Sequence, residues 1–195
     1  MANKISVITV VYNDVANIRK TMESFFSQTW EDKELIVIDG GSTDGTVDII
    51  KEYSDRLGYW CSEKDKGVYD AMNKGVMHAS GDWINILNCG DAYCSENSLG
   101  DAINNCDADN ADVIYGNSIR RQLGHTINDI ASDDVRGLDY APIYRHGSSL
   151  VRTQIHKENL FDLSLKKKYG YALDWYLIYT LYRKGYRFVK TDAFI

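Results

Sequence analysis

Proline and cysteine are scarce in this chain of 195 residues, which has one proline, Pro142, and four cysteines. No two cysteines form a C-x-x-C pair, and no histidine stands at zinc-finger spacing from them, which disfavours a zinc finger. We therefore expect free cysteines in a reducing compartment. The chain also lacks low-complexity segments and is 44% hydrophobic, so disorder is not its expected state.

Long apolar runs are absent as well, and the longest are far too short to span a bilayer. The chain starts with Met-Ala-Asn-Lys and runs straight into a strand pattern, so we expect no signal peptide. These absences predict a soluble, cytoplasmic chain. Its length suits one domain, residues 1–195, with one substantial core.

Positive charge is limited, since the formal net charge is −6 and the single basic run is Lys166–Lys168. Without a stripe of lysine and arginine, a nucleic-acid partner is disfavoured. The simplest interpretation of the lysine run is a solvated loop. The alternative is contact with a phosphate or, peripherally, with anionic lipid at the inner face of the membrane, because short basic clusters near a membrane can bind headgroups.

The first 91 residues predict four strands that alternate with three helices. The strands are apolar and rich in β-branched residues, and apolar positions at helical spacing lie between them. The predicted strands are Ile5–Val11, Glu34–Asp39, Tyr59–Cys61 and Trp83–Leu87. This alternation indicates an α/β fold with a parallel sheet and right-handed crossovers.

Residues 92–195 are less regular. Strands are predicted at Asp112–Tyr115, His146–Val151 and Tyr186–Lys190. A helix begins near Leu173 and is stopped by Gly185. The polar stretch 120–142 is left unassigned.

Three polar residues, Tyr12, Asp39 and Asp91, each stand at the end of a predicted strand or just past it. In sheets of this type ligands bind outside the carboxyl ends of the strands, so these residues indicate one site. Asp39 beside Gly40-Gly41 can accept hydrogen bonds from a base or a ribose. It can equally be a turn-forming aspartate ahead of a helix, and the two interpretations are about even.

Two carboxylates, Asp91 and Asp174, are candidates for metal binding and catalysis. Asp91 is a candidate ligand for Mg²⁺ or Mn²⁺, which prefer carboxylate and phosphate oxygens, although one turn aspartate is a weak signal. Asp174 lies in the first turn of the last helix, where spacing alone favours a helix-dipole partner over a general base. The loop Val11–Asp14 lacks the G-x-G-x-x-G pattern, which disfavours a dinucleotide site.

Together these segments resemble the family 2 glycosyltransferases of the GT-A fold. The matching stretches are ISVITVVYN at 5–13, ELIVIDGGSTDGT at 34–46, DKGVYDAMNKG at 65–75 and GDWINILNCGD at 81–91. Weaker matches cover 146–151 and 171–177. The chain also looks like the bacterial polysaccharide-assembly transferases that carry a DKGxYDAMNKG segment.

The resemblance implies an α/β fold of GT-A type, with a mostly parallel central sheet flanked by helices. It divides the domain into a nucleotide-binding half, 1–91, and an acceptor-side half, 92–195. It further implies an inverting transferase that moves a sugar from a nucleoside-diphosphate donor, usually UDP-linked. The acceptor would be a hydroxyl of a glycan or lipid-linked molecule in cell-surface polysaccharide synthesis. The sequence does not indicate an oligomeric state.

The resemblance also implies residue roles. Tyr12 would lie against the uracil ring, Asp39 would accept from the base N–H, and Asp65 and Lys66 would contact the nucleotide. Asp91 would ligate Mn²⁺ or Mg²⁺ as the last acid of the family's DxD motif. Asp174 would be the base that deprotonates the acceptor hydroxyl.

The chain departs from the family pattern at two acids and at its end. Cys89-Gly90-Asp91 keeps the final acid of DxD alone, and Leu173 replaces the acid before Asp174. The chain ends soon after the Asp174 helix, which suggests a short natural form or a truncated chain. These departures favour an alternative, a non-catalytic nucleotide-sugar-binding module, against which the presence of both Asp91 and Asp174 argues. A sugar nucleotidyltransferase is disfavoured because the loop after the first strand lacks Gly, Arg and Lys.

Overall fold

The structure is a computed structural model that describes residues 4–195. Its strands are β1 (Ile5–Val11), β2 (Lys33–Asp39), β3 (Tyr59–Ser62), β4 (Trp83–Ile86), β5 (Val113–Gln122), β6 (His125–Asp129), β7 (Ser149–Arg152) and β8 (Phe188–Phe194). Its α-helices are α1 (Ile18–Phe26), α2 (Thr46–Glu52), α3 (Val68–His78), α4 (Ser98–Asn104), α5 (Thr153–Glu158), α6 (Lys166–Tyr169) and α7 (Leu173–Arg183). Short 3₁₀ helices lie between some of them.

The strands form one mixed sheet in the order β3-β2-β1-β4-β7-β5-β6, with β8 paired to β5. The first four strands are parallel, as the alternation of strands and helices predicts. Strand β7 runs antiparallel to both β4 and β5, and β6 folds back on β5. Strand β8 runs parallel to β5. The sheet therefore continues without a break from the first half of the chain into the second.

Helices cover both faces of the sheet, which explains why every residue of β1 is buried. Ile5 and Val7 share a core cluster with residues of α1, α2 and α4, whereas Ile8 and Val10 share the opposite cluster with α3 and α7. Gly75 lets α3 approach β1 closely, because a Cβ there would lie 2.4 Å from the Ile8 side chain. Within residues 4–195, no helix has the length and apolar character to cross a membrane.

The second half differs from the sequence prediction in detail. His146–Ser148 forms a 3₁₀ turn, and β7 begins only at Ser149. The Ser148 hydroxyl donates to the backbone carbonyls of Gly116 and Arg145, which stabilises the turn. The final strand is Phe188–Phe194, later than predicted.

The unassigned stretch 120–142 contains a β-hairpin. Strands β5 and β6 pair through Gln122 and His125, which leaves Leu123-Gly124 as a two-residue turn. Both turn residues have positive φ, 51° and 79°, as a type I′ turn requires. Hydropathy patterns do not predict this hairpin, because its strands are polar and a leucine occupies the turn.

Candidate active site

The site lies where the order of the parallel strands reverses. Strand β1 has β2 on one side and β4 on the other, so the strands that follow β1 in the chain are added first on one side of it and then on the other. In register, Val11 pairs with Asp39 and Ile8 with Ile86, which places the segments after these strands at one sheet edge. This is the position at which open α/β sheets bind ligands. The segments that carry Tyr12, Asp39 and Asp91 meet there, as the sequence indicates.

Tyr12 and Asp65 come together around Gly40. The Tyr12 side chain is 65% exposed. A Cβ on Gly40 would lie 3.3 Å from Cδ2 of Tyr12 and 2.6 Å from Oδ2 of Asp65. The Asp65 carboxylate also accepts a 2.7 Å hydrogen bond from the Gly67 N–H. We call Tyr12, Gly40 and Asp65 the nucleotide group, because the sequence assigns two of them to nucleotide binding.

Asp39 lies beneath the loop that follows β2 and is fully buried. Its carboxylate accepts hydrogen bonds from the N–H groups of Gly41 (3.0 Å) and Ser42 (2.9 Å) and from the Ser62 hydroxyl (2.6 Å). The Ser42 hydroxyl donates to its other oxygen. Asp39 thus orders the loop, which is the role of a turn-forming aspartate. The contact with a base stays a prediction.

Lys66 follows the nucleotide group and has an exposed side chain. Its N–H donates to Asp70 at 2.9 Å, and its carbonyl accepts a 2.8 Å hydrogen bond from Nζ of Lys166. One member of the lysine run therefore holds a loop beside the site, whereas the simplest interpretation of the run from the sequence is a solvated loop.

A second group of predicted residues lines an open cleft of about 730 Å³ next to this loop. Asp91 and Asp174 both line it, although 82 intervening residues separate them in the chain. Tyr12, Asp39, Asp65 and Lys66 are not among its lining residues. Val68 and Tyr69, the first residues of α3, do line it, and they follow the loop of Asp65 and Lys66 directly in the chain.

Asp91 stands at the surface of the cleft on a loop that α1 holds in place. The Thr21 hydroxyl donates to the Asp91 carbonyl at 2.9 Å and accepts from the Gly90 N–H at 3.0 Å. Gly90 has a φ of 97°, which favours glycine. Loss of water near the cleft walls raises the pKa of the Asp91 carboxyl, although a hydrogen bond from Asn88 opposes this shift.

Cys89 occupies the position of the missing DxD acid. Its Sγ lies 3.4 Å from Oδ2 of Asp14, and burial, together with the negative charge of Asp14, raises the thiol pKa to about 12. A thiol with this pKa is protonated at neutral pH and is a poor metal ligand.

Asn88 supplies a second oxygen atom next to Asp91. Oδ1 of Asn88 is buried without a hydrogen-bond partner in the described part of the chain, and amide oxygens are ligands for hard cations. Residues 4–195 contain no group of three or more His, Cys, Asp or Glu that could hold a metal. Asp91 and Asn88 thus offer oxygen ligands of the kind that Mg²⁺ and Mn²⁺ prefer.

Asp174 lies in the first turn of α7, and one of its carboxylate oxygens accepts hydrogen bonds. Oδ1 accepts from the Trp175 N–H at 2.8 Å, which is the helix-terminus role that spacing favours. The Tyr69 hydroxyl lies 3.4 Å from the same oxygen. Within residues 4–195 Oδ2 accepts no hydrogen bond. The Asp174 side chain lines the cleft.

Tyr69 joins the two groups of site residues, and the sequence signal for it was its place inside the DKGVYDAMNKG segment. Its hydroxyl donates to the Tyr171 carbonyl at 2.6 Å. Burial and the negative charge of Asp174 raise the pKa of Tyr69 to about 12, so it remains a hydrogen-bond donor at neutral pH.

His146 also lines the cleft, although no sequence pattern marked it as a site residue. Burial lowers the pKa of His146, and the nearby negative charge of Asp174 opposes this. The buried Asn85 of β4 holds the following segment, since its amide donates at 2.9 Å to the carbonyls of both Gly147 and Ser149. In the sequence, Asn85 is a polar residue inside the otherwise apolar predicted strand Trp83–Leu87, which could have indicated that this strand holds a neighbouring segment.

The aromatic residues near Asp174 have different roles. Tyr171 is 86% exposed and lines the cleft, where it can stack on a sugar ring. Tyr169 and Tyr176 stack on each other at 5.0 Å between ring centroids. Trp175 packs against Tyr179 at 6.4 Å. Of the four aromatics that flank Asp174, Tyr171 alone lines the cleft.

Solved glycosyltransferase structures share this fold. The mannosyltransferase PcManGT from Pyrobaculum calidifontis, in complex with GDP-Man and Mn²⁺, superposes with a TM-score of 0.74 at 17% identity, over 97% of this chain and 55% of that one. Residues 1–349 of S. aureus TarS, in complex with UDP-GlcNAc, give 0.73 at 21% identity, over 97% and 56%. The fold is therefore GT-A, as the resemblance implies.

The sequence comparison agrees with the fold. An uncharacterized glycosyltransferase of Mycobacterium tuberculosis is 33% identical over 180 residues, which cover 89% of this chain and 64% of that protein. The chain thus spans less than two thirds of this relative's length. The family model for glycosyl transferase family 2 matches residues 6–170. The chain belongs to glycosyl transferase family 2.

Proposed function

We propose that the chain is an inverting glycosyltransferase that moves a sugar from a UDP-linked donor to a hydroxyl of a glycan or lipid-linked acceptor. It would act in cell-surface polysaccharide synthesis, at the cytoplasmic side of the membrane. The observation that carries this proposal is the cleft lined by both Asp91 and Asp174, which adjoins the nucleotide group.

The nucleotide group would bind the donor base and ribose. Tyr12 presents an exposed ring for stacking on uracil, and the Asp65 carboxylate lies beside it next to Gly40. Asp39 orders the loop and would accept from the base N–H, and Lys66 would contact the nucleotide. The nucleotide-sugar complexes of TarS and PcManGT, which share the fold, support a donor of this class.

The chemistry would be a single in-line displacement. Oδ2 of Asp174 accepts the proton of the acceptor hydroxyl, and the acceptor oxygen forms a bond to the anomeric carbon. The bond from that carbon to the diphosphate oxygen breaks, and the nucleoside diphosphate leaves with the electron pair. Asp91 and Asn88 would hold Mn²⁺ or Mg²⁺, which supplies Lewis-acid stabilisation of the diphosphate when bound.

A non-catalytic nucleotide-sugar-binding module is the second candidate. The protonated Cys89 in place of the first DxD acid favours it, because the protein then offers the metal one carboxylate. The free Oδ2 of Asp174 on the same cleft favours catalysis. Both candidates predict donor binding, and turnover distinguishes them.

The first test is a calorimetric titration with UDP, with and without Mn²⁺, of the wild-type protein and of Asp91→Asn. Asp55→Asn is the matched control, since Asp55 is exposed and does not line the cleft. We expect metal-dependent binding that Asp91→Asn loses and Asp55→Asn keeps, followed by turnover with one of a set of UDP-sugars. No binding of UDP, GDP or dTDP would contradict both candidates.

A further inference from the structure

Three arginines line the cleft on the side of the second half of the chain. Arg120 and Arg121 belong to β5, and Arg145 lies just before the turn that leads into β7. Asp129 of β6 is the one carboxylate of the hairpin that lines the same part of the cleft. This end of the cleft therefore carries more positive than negative charge, although the protein as a whole has a net charge of −6.

The guanidinium groups differ in how many donors they leave free. Arg120 is occupied, because it donates to Gln122 at 3.1 Å and its Nε lies 3.3 Å from Asp129. Arg145 uses its Nε on Asp129 at 3.1 Å, and its two terminal nitrogens have no partner in the described residues. Arg121 has no carboxylate within 4 Å in residues 4–195. Asp129 thus preorders Arg145 at the cleft and leaves Arg121 available.

These arginines come from different elements than the nucleotide group, which is proposed to bind the donor. The nucleotide group comes from loops after β1, β2 and β3, whereas the arginines come from β5 and from the segment before β7. Their part of the cleft belongs to the half of the chain that the family resemblance assigns to the acceptor.

We propose, on the basis of the proposed function, that the acceptor carries a phosphate group that Arg121 and Arg145 bind. Guanidinium groups match phosphate oxygens with paired hydrogen bonds, and two of them suit the charge of about −2 on a phosphate monoester. The phosphate would fix the acceptor so that its hydroxyl meets Asp174.

The phosphate can belong to a lipid or to a soluble glycan. Two probes separate these sources, farnesyl phosphate below its micellar concentration and glucose 1-phosphate, with farnesol and glucose as neutral analogues. Each probe is titrated calorimetrically into the full chain, alone and with saturating UDP and Mg²⁺. Binding of UDP to the same preparation is recorded separately, so that failure of the proposed function is seen independently.

The test compares wild type with Arg121→Gln/Arg145→Gln. The matched control is Arg136→Gln/Arg183→Gln, which removes the same charge from exposed arginines that do not line the cleft. We expect one or both phosphate probes to bind, with UDP present, and to lose at least tenfold in affinity in the cleft variant alone. The neutral analogues should not bind.

Three results would overturn the proposal. The first is that neither phosphate probe binds a preparation that does bind UDP. The second is that the cleft variant and the control variant bind the probes equally well. The third is that UDP displaces the probes, which would assign the arginines to the donor diphosphate.

Discussion

The hydroxyl of Tyr69 lies 3.4 Å from Oδ1 of Asp174, and it donates to the backbone carbonyl of Tyr171 at 2.6 Å. Tyr69 sits in the first turn of α3, directly after the loop that carries Asp65 and Lys66. The helix that begins at the donor loop therefore also positions the proposed base, which couples the donor and acceptor halves of the site.

Removal of this hydroxyl should misplace the base without harming donor binding. For Tyr69→Phe we expect turnover to fall about tenfold, since a misplaced catalytic group costs rate while the nucleotide group is untouched. Turnover with the UDP-sugar donor and calorimetric UDP affinity are the measurements. Tyr179→Phe on α7 is the control and should retain wild-type turnover. An equal loss in both variants would contradict the positioning role.

Asp174→Asn should abolish transfer and spare donor binding. The amide cannot accept the proton of the acceptor hydroxyl, and general-base catalysis contributes about 10²–10⁴-fold to rate. Turnover and UDP affinity, measured on one preparation, separate the two effects. Near-normal turnover would show that Asp174 is not the base.

Gly40→Ala should weaken UDP binding. Its Cβ would lie 2.6 Å from Oδ2 of Asp65 and 3.3 Å from the Tyr12 ring, so the nucleotide group must separate to admit it. We expect about a tenfold loss of UDP affinity, equivalent to about 1.4 kcal/mol. Gly100→Ala is the control, because its nearest neighbour, in Trp30, would lie at an ordinary 3.6 Å. Unchanged UDP affinity in Gly40→Ala would separate the nucleotide group from donor binding.

Glu34 should contribute stability that disappears in acid. Burial alone raises its pKa, but hydrogen bonds from Lys4 (2.8 Å), Ser6 (2.5 Å) and Ser80 (2.7 Å) outweigh this effect and lower the pKa to about 2. Because this folded-state pKa lies below the ordinary value of 4.5, the stabilisation is present above pH 4.5 and is lost as pH falls toward 2.

Urea denaturation of Glu34→Gln measures this contribution. We expect the free energy of unfolding to fall by about 2 kcal/mol at pH 7, and the difference from wild type to shrink by pH 3.5. Glu52→Gln is the control, since its bridge to Arg19 is about half exposed and should contribute far less stability than the contacts of Glu34. A difference that grows in acid would contradict the assignment.

Local sequence patterns predicted the parallel half of the fold. The apolar β-branched run Ile5–Val11 indicates a strand buried on both faces, and helical spacing marks the helices that cover it. Polar residues past the strand ends, such as Tyr12 and Asp91, then indicate the sheet edge. Local patterns indicate these elements because a helix with one buried face repeats apolar residues at helical spacing, and a strand buried on both faces is a continuous apolar run.

The second half was less predictable for physical reasons. The β5–β6 hairpin is solvated on both faces, so its strands do not alternate apolar and polar residues, and Leu123 occupies a turn position that usually holds asparagine or glycine. The sequence pattern of His146–Ser148 is that of the start of a strand, but hydrogen bonds from the Ser148 hydroxyl to the carbonyls of Gly116 and Arg145 hold it in a turn.

The sequence by itself determined the family, the alternating fold and the strand ends at which chemistry is expected, because these depend on neighbours in the chain. Tertiary structure alone decided that Lys166 bonds to the Lys66 carbonyl and that Cys89 faces Asp14. It also decided that Oδ2 of Asp174 is left free beside Tyr69. These contacts join residues about 75 to 105 positions apart, and helix packing on the sheet, which local periodicity does not encode, sets their geometry.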